Sequence, residues 1–332
     1  MTSPSAPLTT RGIALADAAT GGRAPLLPGR LPPRRRRTVP KQPLDRVIDL
    51  VAGLLIAVVV LAVLYPLWFI VVASFSDPGA VSSGRLTLIP EGFRLSGYER
   101  LLQDERIWNG YRNSVVYAVL GTALNLLVTI PAAFALSRPE FRPRRVLLLL
   151  FAITLFFSGG LIPNYLLYRD LGLLNSMWVF VLPGALSVFN LIIARSFFET
   201  SIPEELHDAA RIDGVSYLGF FLKIVLPLSA AIVAVIGLYY FVGHWNDYFT
   251  GLVFVRDASL LPLQNVLQSI LLANQSIAGQ GGSGGQSAQQ LQETADQIKY
   301  GVIIVSTLPL LVLYPFLQRY FDKGVLVGAV KG

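Results

Sequence analysis

Six apolar stretches, each long enough to cross a bilayer, leave this chain few folds to adopt. They run over residues 47–73, 113–136, 146–168, 177–199, 220–243 and 299–321. A hydrocarbon core about 30 Å thick needs a helix of roughly 20 apolar residues to span it. The composition agrees: 53% of the 332 residues are hydrophobic and only 14% charged, where a soluble domain carries about a quarter charged. The reading is an all-α polytopic membrane protein with six transmembrane helices.

Several chemistries are excluded at once. There is no Cys, which removes disulfides and thiol catalysis, and only two His, His207 and His244, which removes a multi-His metal site. No GxxxxGK[ST] occurs, so the chain has no P-loop of its own. The central parts of the six spans lack Asp, Glu, Lys and Arg. Intramembrane ionisable groups mark ion pathways, proton relays and catalytic sites. Their absence weighs against an ion-coupled secondary transporter and against an intramembrane enzyme.

The formal net charge of +7 is placed for topology rather than for nucleic acid. Of the 27 Lys and Arg, nine lie in residues 1–46 and four in the loop Ser137–Arg145, with three each in the 195–223 insert and residues 319–332. Cytoplasmic loops carry such an excess, so both termini are expected inside the cell. Arg34–Arg37 do not read as an export signal, because the apolar run after them is too long for a signal h-region and has no clear small-residue cleavage site. Residues 1–45 read as a disordered, basic cytoplasmic tail, 46–332 as the transmembrane domain and 322–332 as a cytoplasmic tail. Trp68, Trp108, Trp178 and Trp245 fall near the outer ends of spans, as interfacial aromatics do. Two outside loops, 74–112 and 255–298, are long. The run Gly281–Gly285 in the second is followed by Gln and Ser and reads as a flexible linker.

The polar stretch between spans four and five, residues 200–227, is the exception to the apolar pattern. Ser201-Ile-Pro-Glu204 has the form of a capping box with proline in the first turn. Glu204 and Glu205 suit the positive end of the helix dipole. Ile202, Leu206, Ala209 and Ala210 share one face; Glu204, Asp208 and Arg211 form another. Gly214 is placed to end the helix in a left-handed conformation, and Pro227 to bend the next span. Such a helix can lie on the membrane surface or receive a soluble partner. Its net acidic polar face favours the partner.

The residues Asp208-Ala209-Ala210, Gly214 and Ile224-Val225-Leu226-Pro227 form the pattern DAA-x3-G-x9-I-x-LP. It resembles the EAA loop of bacterial ABC importer permeases, in the version of the carbohydrate-uptake, maltose-type family. Asp208 stands where the pattern has Glu, with the charge kept and the reach one methylene shorter. Phe156–Ser176, Gly243–Phe249 and Phe321–Gly332 resemble segments of the multiple-sugar and oligosaccharide branch. The resemblance covers the chain from Leu44 onward, except for the Gly/Gln-rich loop.

The resemblance implies a type I ABC importer permease: a transporter subunit of the bacterial cell membrane, not an enzyme. Its implied partners are a second permease, two ABC ATPase subunits, an extracytoplasmic solute-binding protein and a carbohydrate, an oligosaccharide or polysaccharide fragment. No cofactor is expected in this chain; ATP and Mg would be bound by the partner ATPase. Glu204, Glu205, Leu206, Asp208, Ala209, Ala210, Asp213 and Gly214 would form the coupling element. Aromatic rings stack on sugars and amides bond hydroxyls, so Asn125, Asn164, Tyr165, Asn190, Tyr239, Tyr240, Trp245, Asn246 and Asp247 are candidates for the substrate path. Each also has the reading of a packing residue. The segment SGGLIPN is expected to break span three at depth, where irregular backbone must line a cavity or be buried in protein. The competing readings are an ion-coupled secondary transporter and a membrane scaffold docking a soluble protein.

Overall fold

The computed structural model describes residues 43–82, 88–280, 298–312 and Pro315. The basic leader to residue 42, the Gly281–Gly285 run and the C-terminal tail lie outside the described residues. Residues up to Val58 form one unit and those from Val59 a second. Helix α1 (Pro43–Phe75) starts with Pro43 and has Asp45 in its first turn, both favourable at a helix N-terminus. It therefore takes in the last residues assigned to the tail. None of its most apolar window is buried, so that surface must face lipid or another chain.

In the second unit, the segment after α1 folds back on it. Tyr98 OH donates to Ser74 Oγ at 2.8 Å, Phe75 stacks on Phe93 and Tyr98, and Arg94 pairs with Asp77 at 3.1 Å. Helix α2 (Ser96–Gln103) leads into α3 (Glu105–Ser137). Asp104 caps α3 by accepting from Arg106 N at 3.0 Å, and the Arg106 guanidinium beside it holds its carboxyl below the usual carboxylate range. With that cap, α3 begins eight residues before the apolar stretch at 113.

The next spans are interrupted. Helices α4 (Arg144–Phe156) and α5 (Leu161–Asp170) meet at 115°, so the break expected at SGGLIPN is present. Gly160 at φ 84° makes that turn, a conformation open to glycine. The fourth span is not one helix, contrary to the expectation for 177–199. A single turn, Trp178–Val181, is followed by non-helical backbone, and α6 (Val188–Ser201) begins only after it. The cause is Pro183-Gly184, which a count of apolar residues passes over.

Helix α7 (Glu204–Ile212) follows, then α8 (Tyr217–Leu228) and α9 (Ala230–Trp245), bent by 80° at Ser229. Pro227 has no N–H for the Lys223 carbonyl, and its ring crowds that group. The chain widens to π spacing over Phe221–Val225 just before it, one of the known ways a helix absorbs a kink. Helix α10 (Leu263–Gln280) occupies part of what reads as an outside loop, and α11 (Ile298–Val312) completes the described chain. By length and apolarity two helices, α1 and α3, can each cross a bilayer, or four spans if each bent pair counts as one.

The buried seam of α3 carries Gly110, Ser114, Ala118, Gly121, Asn125, Thr129 and Ala133. Small residues at this spacing let neighbouring backbones approach. At Gly121 a Cβ would collide with the His244 ring of α9.

The polar members of α3 complete the hydrogen bonding of the broken elements around it. Asn113 Nδ2 donates to Ser259 O and Leu261 O, Tyr117 OH to Leu260 O, and Leu263 N to Ser114 Oγ. Asn125 Nδ2 donates to Gly184 O in the broken fourth span, while Asn125 Oδ1 accepts from His244 Nε2 at 2.7 Å. Thr129 pairs with Tyr240 OH at 2.7 Å, and that phenol accepts from Ser187 N at 2.9 Å.

Helix α11 repeats the pattern. Pro309 cannot donate to Val305 O; Tyr111 OH does so instead, and Trp245 Nε1 donates to the next carbonyl, Ser306 O, at 3.1 Å. Tyr111→Phe is expected to destabilise the protein by about 1 kcal/mol, the scale of one buried hydrogen bond in a membrane protein. Thermal unfolding of the detergent-purified protein measures it. A variant equal to the parent would mean that the Val305 carbonyl finds another donor.

Candidate functional site

The polar insert stands out from the apolar helices as α7. Proline at 203 fixes its entry. Residues before a proline are pushed toward extended backbone, and Ile202 sits at φ −115°, ψ 94°, with Pro203 at φ −61°, ψ 151°. The expected capping box is therefore not formed. Ser201 is the last residue of α6, Pro203 is the N-cap of α7, and no side chain caps it. Glu204 and Glu205 do occupy the first turn, beside the positive end of the helix dipole.

The exit is a complete Schellman motif. Val215 N donates to Ala210 O at 2.9 Å and Gly214 N to Arg211 O at 3.1 Å, with Gly214 at φ 73°. Ser216 Oγ then accepts from Gly219 N at 3.2 Å and starts α8.

The buried face of α7 is Ala210, with Ile202 just before the helix and Leu206 half-buried against the same core. Ala209 is exposed, so the Ala pair is split between the two faces. Glu204, Glu205, Asp208 and Asp213 are exposed. Ile212, at the end of the helix, is 87% exposed. It was missed because it lies off the 202/206/210 stripe.

Two arginines join the helix ends beside this element. Arg138, which follows α3, is 3% exposed. Its Nη2 donates to Phe198 O at 2.8 Å, its Nη1 to Ile202 O at 3.4 Å and its Nε to Ser137 Oγ at 3.1 Å. Its guanidinium lies 5.0 Å from the centre of the Phe134 ring. From α6, Arg195 Nε donates to Leu136 O at 3.2 Å and the side chain pairs with Glu199. His207 of α7 packs edge-on against Tyr217 and lies 3.8 Å from Glu140. The charge pattern marked Arg138 only as an inside cation; the placement of Arg138-Pro139 at the end of an apolar run was the available signal.

The nine path candidates divide by what their polar atoms do. Asn125, Tyr240 and Trp245 are buried and bonded within the chain. Asn190 is buried in the first turn of α6. Tyr165 is half-buried and stacks on Phe254 at 6.0 Å, and Asn164 is half-buried at the start of α5. Asp247 accepts from Thr250 N at 3.1 Å and Asn246 Nδ2 donates to Val242 O at 2.9 Å. Tyr239 is 48% exposed. Beyond the Trp-Asn turn, a cavity of about 440 Å³ lies between Tyr248, Gln264, Gln268, Val302 and Ser306. Among the described residues no cluster of His, Asp and Glu could hold a metal.

Residues 107–327 match the family described as the binding-protein-dependent transport system inner membrane component. The chain is 38% identical over 289 residues to the polygalacturonan/rhamnogalacturonan transport system permease protein YtcP of Bacillus subtilis, covering 87% of this chain and 99% of that one. It is 36% identical over 287 residues to protein LplC of the same organism, covering 86% and 96%. Its fold is similar to a chain of a bacterial ABC transporter involved in the import of the acidic polysaccharide alginate, with a TM-score of 0.75 and 33% identity over 85% of this chain and 99% of that one. The chain belongs to the binding-protein-dependent transport system inner membrane component family and has the type I importer permease fold.

A Cβ at Gly214 would touch nothing, so substitution there acts through backbone strain alone. Gly214→Val is expected to cost about 1–2 kcal/mol, while Gly214→Asn, which tolerates the left-handed region, stays near the parent. Thermal melts of the two variants side by side test this. Equal melts would show that the corner is not held left-handed.

Proposed function

We propose that this permease is one transmembrane half of an ATP-driven carbohydrate importer, with α7 as the helix that seats on a separate ATPase subunit. The observation that carries it is a short helix, closed by a Schellman motif and preceded by a carbonyl that Arg138 holds, that presents exposed carboxylates between membrane helices. Among the described residues, nothing packs over the outward-facing Glu204, Glu205, Asp208 and Asp213, which are exposed. A rigid mount is what a docked contact needs in order to bias a two-state membrane element.

The loop 138–145, with its four arginines, and α7 meet through the Arg138 and His207 contacts. The positive-inside rule then supports a cytoplasmic position for α7 and for both termini. Six crossings are the reading in which α1, α3, the two bent pairs, the broken Trp178–Ser201 segment and α11 each count once. The partners are a second permease, two ATPase subunits that bind ATP and Mg, and an extracytoplasmic binding protein. The named cargo of YtcP and of the alginate importer supports an oligosaccharide or polysaccharide fragment. Tyr239, Asn246 and the cavity beside Tyr248 offer aromatic and amide groups still able to meet hydroxyls.

Asp208 is exposed on the acidic face. Asp208→Lys is expected to lower ATPase co-purification and ATP-dependent uptake by at least about tenfold, since reversing a charge at an interface costs several kcal/mol. The protein should still melt like the parent. Co-purification with an ATPase and a second permease is the first measurement, and their absence from the parent complex would overturn the proposal. Unchanged assembly and uptake in Asp208→Lys would remove Asp208 from the docking face.

A further inference from the structure

Helices α3 and α6 end side by side, and each helix's last carbonyls receive an arginine belonging to the other. The final carbonyls of any helix lack intrahelical donors and carry the negative end of the dipole. Arg138, just past the end of α3, donates to Phe198 O and Ile202 O at the end of α6. Arg195, inside α6, donates to Leu136 O at the end of α3.

The exchange is asymmetric in depth. Arg138 is 3% exposed and is held by carbonyls, a hydroxyl and the face of Phe134 rather than by a carboxylate. Such a buried cation is costly unless its donors are matched. The forked guanidinium reaches two carbonyls four residues apart, which a lysine's single ammonium cannot do in the same geometry.

One acceptor identifies the role. Ile202 O is separated from α7 only by Pro203, whose φ is fixed by its ring. A displacement of α7 therefore passes through Pro203 and Ile202 to Arg138, and through Arg138 to the end of α3. Along α3, Thr129 and Asn125 in turn hold Tyr240, His244 and the broken segment of the fourth span. The contacts form one continuous path from α7 to the middle of the membrane helices.

We propose that Arg138 and Arg195 form a reciprocal clamp that transmits movement of α7 to α3, and that Arg138 is thereby a positioning residue for coupling hydrolysis to transport. This rests on the importer reading of α7. The clamp does not touch the ATPase or the cargo; it fixes the angle between the docked helix and the helix that organises the spans.

The test uses the whole complex with its partner subunits in lipid nanodiscs. This chain has no Cys, so two spin labels can be placed at the exposed positions Gln103 and Arg169 on a cysteine-free complex. Mg-ATP with vanadate is the probe, and the inter-label distance is read with hydrolysis measured in parallel. In the parent, trapping shifts the distance distribution. In Arg138→Gln, hydrolysis continues while the shifted population falls by about tenfold, the scale of an ordinary coupling energy; Arg138→Lys falls between the two.

If Arg138→Gln does not assemble, Arg195→Gln carries the same test from the less buried side and should also separate hydrolysis from the shift. The proposal is overturned if Arg195→Gln, or an assembled Arg138→Gln, shifts like the parent. It is also overturned if hydrolysis and shift decline together by the same factor, which is what a merely structural role produces. A parent complex that neither hydrolyses ATP nor shifts overturns the importer reading, not the clamp geometry.

Discussion

In a bilayer every backbone N–H and C=O must find its partner inside the protein, and helix α3 is where this chain meets that demand. The elements around it are irregular: a broken fourth span, a connection that reaches α10 through a single 3-10 turn, Ala258–Leu260, and a proline in α11. Each leaves backbone groups without helical partners. Asn113, Tyr117, Ser114, Asn125 and Tyr111, all on α3, and Thr129 through Tyr240, supply those partners. The small residues between them, Gly110, Ala118 and Gly121, bring the neighbours close enough for short polar side chains to reach. Polar and small positions on one seam are therefore a single device. Irregular backbone is tolerated at depth because one long, regular helix stands next to it.

The same helix links the interior to α7. Its C-terminus is joined to the end of α6 by the exchanged arginines, and α6 passes into α7 through Ile202 and Pro203. The inner core shares this geometry: Phe134 of α3 packs against Phe198 of α6 and against Phe220 and Phe221 of α8. The aromatic cluster lies at the base of α7, and close-packed interiors have low compressibility.

Much of this was legible in the residues. Apolar length located α1 and α3, the SGGLIPN sequence located the break between α4 and α5, and Gly214 located the end of α7, since each rests on a local rule that no neighbour overrides. The fourth span was misjudged because apolar content was weighed above Pro183-Gly184. The capping box failed for a related reason. Ser201 and Glu204 have the right spacing, but Pro203 forces Ile202 out of helical backbone and assigns Ser201 to the helix before. Local patterns that compete for one residue are resolved by the backbone restriction, because it is steric and the cap is only a hydrogen bond.

The arginine clamp and the polar seam were not legible for a different reason: both depend on which helix ends lie together. Asn125 and Tyr240 were nominated as sugar contacts from residue type alone. Their atoms complete Gly184 and Ser187, which are in the very break that the apolar count missed. Where a span contains a proline-glycine break, some neighbouring helix must carry the amide or hydroxyl that repairs it, so intramembrane polar residues should be matched to nearby breaks before they are assigned to a ligand. By that rule Tyr239 and Asn246 stay open to cargo, since the exposed Tyr239 ring repairs no break and Asn246 donates only to its own helix at Val242 O.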